Sequence, residues 1–269
     1  MYPILYQTDN FILDTYSIFF LLAWIVGGVM FYKEFRRKGW ELEKLLFIMI
    51  GCIVGAVIGS YLFNAIFIGW EEIPKQIRLF EFSGKTVLGG LAGGFIGVEL
   101  TKKKIGYPYS TGDAFAVAIP LAHAIGRIGC LLGGCCYGTE CHLPWAMKYP
   151  FASIPYLHQL STGMIPDTAT KSLPVHPTQL YEIIFNISLF IFIWWKKDSM
   201  KVRGSLFRLY LASYAGFRFL SEFIRGDSAF PTDGMLKPVQ WLLLCATIYF
   251  GWIFYRNELK DNKVAIKAK

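Results

Sequence analysis

The chain has 269 residues, of which 54% are hydrophobic, 17% aromatic and only 17% charged, with a formal net charge of +8. A soluble domain of this length carries more charge, so the composition excludes an ordinary water-soluble fold. The positive excess sits in short links between apolar blocks, which suits an anionic membrane surface and gives no reason to infer nucleic-acid binding.

In chain order, the apolar blocks predict helices at about Tyr16–Tyr32, Leu45–Ile68, Val87–Leu100, Ala114–Leu132, Leu180–Trp195, Gly204–Phe223 and Val239–Tyr255. Each is near the roughly 20 residues needed to cross about 30 Å of hydrocarbon. The third and fifth are short or glycine-rich and suit tilted or partly re-entrant segments. Backbone polar groups in lipid must be satisfied within the protein. The expected fold is therefore an all-α integral membrane protein, a bundle of about seven transmembrane helices. Asp9 and Asp14 precede the first block, where a cleaved signal would carry basic residues, so that block reads as a retained span. With no low-complexity tract or clear internal repeat, residues 1–269 read as a single transmembrane domain.

Basic residues set the expected orientation. Lys33, Arg36, Arg37, Lys38 and Lys44 follow the first block, and Lys102, Lys103 and Lys104 follow the third. Lys196, Lys197, Lys201 and Arg203 follow the fifth, and Arg256, Lys260, Lys263, Lys267 and Lys269 fill the tail. These clusters alternate, which places them on the cytoplasmic side, the N-terminus outside and the C-terminus inside. The outer connections are then Trp70–Lys85, Gly133–His176 and Gly226–Lys237. The middle one, residues 133–176, carries Pro144, Pro150, Pro155, Pro166 and Pro174 and is expected to form a cap over the outer face.

The residues that matter most are arginines in or at the rim of these blocks: Arg127, Arg218 and Arg225. An arginine near the centre of a span costs about 2.5–3.5 kcal/mol on insertion scales, so it faces a protein interior or a wet cavity. Several together point to a buried site for an anion. Tyr214, Arg218, Glu222 and Arg225 recur at helical spacing and predict one stripe, with Arg218 and Arg225 about 10 Å apart along the axis. On that stripe Glu222 holds one guanidinium while the others are left for a ligand, whose phosphate oxygens the planar fork of arginine suits. A self-contained ion-pair ladder is the competing structural reading.

His123 and Arg127 lie four residues apart in HAIGRIGCLLGGCCYG, residues 123–138. The glycines from Gly126 to Gly138 predict a helix whose end breaks into a loop approached closely by ligand or backbone. Cys130, Cys135, Cys136 and Cys141, with His142, fit no familiar zinc spacing. Disulfide or buried thiol, metal ligand and catalytic thiol all remain open for them, while Cys52 and Cys245, in apolar blocks, read as inert. His176-Pro-Thr-Gln-Leu-Tyr-Glu182 opens the fifth block, with Pro177 a good first helical residue. His176 and Gln179 are expected in the outer polar zone, with Tyr181 and Glu182 deeper and Glu182 in need of an arginine partner. The run Val87–Gly97, VLGGLAGGFIG, reads as a close helix-packing face.

Taken together, these segments resemble the bacterial prolipoprotein diacylglyceryl transferase family. Gly126-Arg127-Ile128-Gly129 with Gly134 and Gly138 is similar to its signature loop, and Pro144-Trp145-Ala146-Met147 to the segment after it. HPTQLYE at 176–182 is close to its fifth-helix motif, and Phe217-Arg218-Phe219 with Glu222, Arg225 and Asp227 resembles its penultimate helix. Tyr16 matches a first-helix tyrosine. The resemblance implies a seven-helix bundle with an outer head, in a bacterial inner membrane. The implied activity moves the diacylglyceryl group of phosphatidylglycerol to the cysteine thiol of a prolipoprotein signal peptide. It also implies that Arg127 and Arg218 bind the headgroup and steady the departing glycerol phosphate, with Tyr16, His123, Gly138, His176, Gln179, Tyr181, Glu182, Tyr214, Glu222 and Arg225 around the substrates. The reaction is substitution at carbon: charge moves from sulfur to phosphate, which fixed cations assist, with no metal or other cofactor expected.

The chain departs from the family pattern at Ala92, where the family usually has a histidine. It departs again at Val175, in place of an arginine, and at Cys130-Leu131-Leu132-Gly133-Gly134-Cys135, in place of Asn-Phe-Ile-Asn-Gly-Glu. A proposed base is thereby missing. The alternatives are a related phospholipid-dependent transferase with another acceptor and a non-catalytic lipid-binding or transport protein. Transport fits less well, because the polar groups favour one side and no repeat is visible.

Overall fold

The structure, a computed structural model, describes residues 4–8, 11–68, 87–226 and 236–260. Helices dominate it: α1 (Thr15–Arg37), α2 (Leu42–Ile68), α3 (Val87–Lys104), α4 (Gly112–Gly133), a short α5 (Ile154–Ser161), α6 (Thr178–Lys196), α7 (Ser205–Ser221) and α8 (Pro238–Phe254). A 3-10 turn at Glu222–Ile224 continues α7, and a π-helical turn at Tyr255–Lys260 continues α8. Every apolar block read from the sequence is a helix. The connections predicted at Trp70–Lys85 and through most of Gly226–Lys237, with Asp9, Asp227 and the last tail lysines, lie outside the described residues.

Among the described residues, five helical segments are long and apolar enough to cross a membrane: Thr15–Arg37, Leu42–Phe63, Gly112–Gly133, Thr178–Lys196 and Pro238–Glu258. The other two predicted spans fall short of that measure for identifiable reasons. α3 ends in Glu99 and three lysines, and α7 is only 17 residues long and contains Arg208 and Arg218. Large apolar side chains point outward along the spans, among them Leu21, Ile58, Phe95, Leu100, Ile191, Trp195, Ile248 and Trp252. That is the surface of a protein whose solvent is lipid: a water-soluble one rarely exposes so large an apolar area.

One element was not anticipated. Ile4–Thr8 and Phe11–Asp14 pair as an antiparallel hairpin (β1 and β2) ahead of α1. Asp14 then accepts a hydrogen bond from the Ser17 amide at 2.5 Å, capping the first turn of α1.

The described chain divides into two units, one of Met1–Phe31 with Thr111–Lys269 and one of Tyr32–Ser110. In the second, α2 and α3 meet through glycines. A Cβ at Gly55 would run into the carbonyl of Gly93, and one at Gly93 into the carbonyl of Gly55; Gly59 and Gly97 are equally tight. Without a hydrophobic drive between helices in lipid, small residues at four-residue spacing let backbones approach and gain dispersion contacts. The glycine run of α3 is thus a packing face, as its sequence implies.

The first unit holds α4, α6, α7 and α8. Asp113 in the first turn of α4 accepts from the amides of Gly204, Leu206 and Phe207 at 2.8, 3.1 and 3.4 Å, closing the open N-terminus of α7. Phe185 and Phe217 stack at 4.1 Å between α6 and α7. At the opposite ends of these helices, three backbone segments are tied together. The Gly138 amide donates to His176 O at 2.9 Å, the Thr139 amide to Ile224 O at 2.9 Å, and the Gly226 amide to Tyr137 O at 3.1 Å. The long connection between α4 and α6 is itself folded, around buried Tyr137, Tyr149 and Val175. Gln159 of α5 accepts from the Leu173 amide at 2.7 Å, and the Tyr156 hydroxyl donates to Ala169 O at 2.9 Å. This tie brings the end of α4, the start of α6 and the end of α7 to one place.

Candidate functional site

Two buried carboxylates organise the charged residues. Glu182, in the second turn of α6, is 1% exposed. Its Oε2 lies 2.5 Å from Arg127 Nε and 3.5 Å from His123 Nε2, and its Oε1 lies 3.5 Å from Arg225 Nη1. Arg127 and His123 stand one turn apart on α4 and face the same carboxylate, with Arg127 Nε 3.3 Å from His123 Nε2. Glu222, at the start of the 3-10 turn, holds the second pair. Its Oε2 is 2.7 Å from Arg218 Nη1 and its Oε1 is 3.2 Å from Lys237 Nζ. Arg218 Nη1 also donates to Ser221 Oγ at 3.2 Å. The His123 ring meets the edge of Tyr214 at 5.0 Å, so α4, α6 and α7 converge on one cluster.

Among the described residues, cations outnumber carboxylates in this cluster. Arg127, Arg218, Arg225 and Lys237 surround Glu182 and Glu222, all with side chains largely withdrawn from solvent. Burying a surplus of cations is costly unless an anion completes the set.

Some sequence expectations change. The stripe through Arg218 and Glu222 holds, as does the Arg218–Glu222 pair, but Arg225 is not on it. The α-helix stops at Ser221, and Arg225 adopts extended backbone at φ −80 and ψ 128. It thereby turns toward Glu182, one of the arginine partners that Glu182 required. Gln179 is not in an exposed polar zone: it is fully buried and donates to Cys135 O at 2.6 Å and to the Tyr149 hydroxyl at 3.0 Å. Burial pushes the Tyr149 phenol above its ordinary pKa, against the opposing effect of the Gln179 contact. Lys237 was missed, because it precedes Pro238 in a connection and no local spacing links it to Glu222, 15 residues away.

The remaining expected residues fall in three places. His176 Nδ1 lies 3.2 Å from the Tyr181 hydroxyl, which accepts from Trp145 Nε1 at 2.7 Å. Tyr16, in the first turn of α1, rests on α4 where a Cβ at Gly129 would come within 3.3 Å of its Cα. Gly138 has a steric reason to be glycine, since a Cβ there would meet His176 Cβ at 2.5 Å and Ile224 O at 2.7 Å.

All six cysteines are free thiols. Cys130, Cys135 and Cys136 nevertheless converge, with sulfurs within 4.8 Å of one another. Hydrogen bonds from the Cys130 and Cys135 thiols, helped by the nearby Arg127 and Arg225 guanidinia, hold the Cys136 thiol below its usual range against the effect of burial. Cys141 lies apart, its sulfur accepting from the Leu143 amide at 3.4 Å.

Comparison with known proteins shows the family. A phosphatidylglycerol–prolipoprotein diacylglyceryl transferase of Clostridium tetani is 29% identical over 268 residues, covering 97% of this chain and 100% of its own. The corresponding transferase 2 of Clostridium perfringens is 27% identical over 261 residues, covering 95% and 96%. That of Bordetella avium is 31% identical over 224 residues, covering 81% and 75%. Residues 3–256 match the family described as prolipoprotein diacylglyceryl transferase, and the chain belongs to it.

Proposed function

We propose that this chain transfers the diacylglyceryl group of phosphatidylglycerol to the cysteine thiol of a prolipoprotein signal peptide, releasing glycerol phosphate. The observation that carries the reading is the convergence, among the described residues, of buried Arg127, Arg218, Arg225 and Lys237 on Glu182 and Glu222, in a membrane protein whose relatives are named for this reaction. A phosphodiester in the bilayer is an anion whose oxygens suit such guanidinium groups.

In this reading Arg127 and Arg218 hold the phosphate. Their partner carboxylates fix the guanidinium planes before the lipid arrives, so little reorganisation is needed when charge develops. The acceptor thiolate attacks the glycerol carbon, the carbon–oxygen bond to phosphate breaks, and the leaving glycerol phosphate gains the electron pair. The arginines stabilise that charge more in the transition state than in the ground state. Arg225 and Lys237 add positive potential, while Tyr16, His123 and Tyr214 wall the cluster. His176, Tyr181 and Trp145 suit the peptide or headgroup rim. The reaction is assigned to the outer face of a bacterial inner membrane, because the lysine-rich connections alternate along the sequence with the connections next to the motifs.

The test is transfer of labelled diacylglyceryl from phosphatidylglycerol to a lipobox peptide by the purified chain in detergent. Label should appear on the cysteine peptide and not on its serine counterpart. Absence of transfer under conditions where a related transferase is active would sink this reading.

A further inference from the structure

Among the described residues, the Cys130, Cys135 and Cys136 thiols form a cluster that the reading above does not use. Local structure brings them together. Cys130 is in the last turn of α4, and Gly134 follows in the left-handed region at φ 78. The amides of Gly134 and Cys135 both turn back to Cys130 O, at 2.9 and 3.2 Å. This reversal folds Cys135 and Cys136 under Cys130, so an unfamiliar spacing in sequence becomes a compact set of three sulfurs within 4.8 Å. A zinc–sulfur bond of about 2.3 Å requires sulfurs roughly 3.8 Å apart in a tetrahedral site.

Three further observations favour a built site. Cys136 itself sits at φ 60, a backbone region where glycine is the cheap choice. The carbonyls of Cys135 and Cys136 are gripped from α6 by Gln179 Nε2 at 2.6 Å and Thr178 Oγ1 at 2.5 Å, which supports the loop from behind. Arg127 Nη1 lies 3.8 Å from Cys130 Sγ. Three thiolates on a divalent ion carry one net negative charge, which this guanidinium offsets. With the Cys141 sulfur accepting from Leu143 elsewhere, three protein sulfurs converge among the described residues. Three protein ligands and one open position describe a catalytic zinc site better than a structural one.

We propose that Cys130, Cys135 and Cys136 bind one zinc ion, whose fourth position takes the acceptor cysteine of the substrate as a thiolate. The proposal rests on the transferase reading and supplies what that reading lacks. No side chain has been given the role of base to the acceptor thiol, and a metal-bound thiol is deprotonated without one. The acceptor thiol loses its proton to solvent on coordination. Its sulfur forms the bond to the glycerol carbon, glycerol phosphate leaves with the electron pair beside Arg127, and the neutral thioether, a weaker ligand, departs. Zinc is unchanged and nothing is oxidised or reduced.

The test uses the full chain purified in detergent from zinc-supplemented cells. Metal analysis should find about one zinc per chain, lost in Cys130→Ser, Cys135→Ser and Cys136→Ser and kept in Cys141→Ser. Because a serine variant can also misfold, the wild type is stripped with a chelator. Transfer to a lipobox peptide should fall at least tenfold and return with added zinc. With cobalt in place of zinc, the visible spectrum should change on adding the cysteine peptide and not the serine peptide. Active transfer by a chain that binds neither metal, or a disulfide among these cysteines in active protein, overturns the zinc site and leaves the transferase standing. Zinc retained with transfer unaffected by its removal also overturns it. A cobalt response to the cysteine peptide without diacylglyceryl transfer supports the thiol site and removes the transferase reading instead.

Discussion

Glu182 Oε2 on α6 sits 2.5 Å from Arg127 Nε on α4, a buried ion pair across two membrane-spanning helices. The same carboxylate faces Arg225, so it holds two guanidinia in one place. In the proposed mechanism its role is to orient these cations.

Glu182→Gln should therefore destabilise the protein more than a surface change does. Removing one partner of a buried pair leaves uncompensated charge and costs about 3–5 kcal/mol. Melting curves in detergent measure it. Pairing Glu182→Met with Arg127→Met should recover part of that stability and yield an inactive enzyme. If the double variant regains transfer, Arg127 does not hold the lipid phosphate.

How much of this was legible follows from distance along the chain. Arg218–Glu222 and His123–Arg127 are one helical turn apart, so periodicity alone placed each pair on a face. Glu182 declared itself as a carboxylate in an apolar block that needed a cation. Lys237 and the turn of Arg225 away from α7 depend on where a helix ends and a distant connection returns, and no local pattern encodes that. The thiol cluster was hidden for a related reason: its spacing matches no familiar motif, and only the left-handed turn at Gly134 brings the sulfurs together. The hairpin at Ile4–Asp14 is too short to stand out beside the span that follows.

Glycine substitutions separate close packing from mere tolerance. Gly93→Ala should lower the melting temperature, because its Cβ would run into Gly55 O. Overpacking of this kind costs about 1–3 kcal/mol. Gly90→Ala should be neutral or slightly stabilising, since the nearest atom to its Cβ would be Ala56 O at 3.8 Å. Equal effects of the two in a detergent melt would contradict the α2–α3 contact.

The proposed orientation places the turn after α5 outside the cell. Residues 161–164 are exposed, so single cysteines placed there, with the native cysteines replaced, should react with a membrane-impermeant maleimide in intact cells. Labelling only after the inner face is opened would invert the topology and remove the proposed mechanism with it.

Arg218→Lys should be nearly as damaging as Arg218→Ala. Arg218 Nη1 lies 2.7 Å from Glu222 Oε2 and donates to Ser221 Oγ at 3.2 Å, so its guanidinium plane is held on one side. In the proposed mechanism the rest of the fork makes a two-point contact with phosphate. Lysine keeps the charge and loses that geometry. Losing one directed contact to the developing charge should cost roughly 2–4 kcal/mol in the transition state, or about 30- to 1000-fold in rate. The comparison is made at saturating phosphatidylglycerol with melting curves beside it, because Glu222 retains Lys237 as a partner and the fold should survive better than in Glu182→Gln. Near-wild-type transfer by Arg218→Ala would reduce Arg218 to a structural ion pair and leave the phosphate to Arg127 and Arg225.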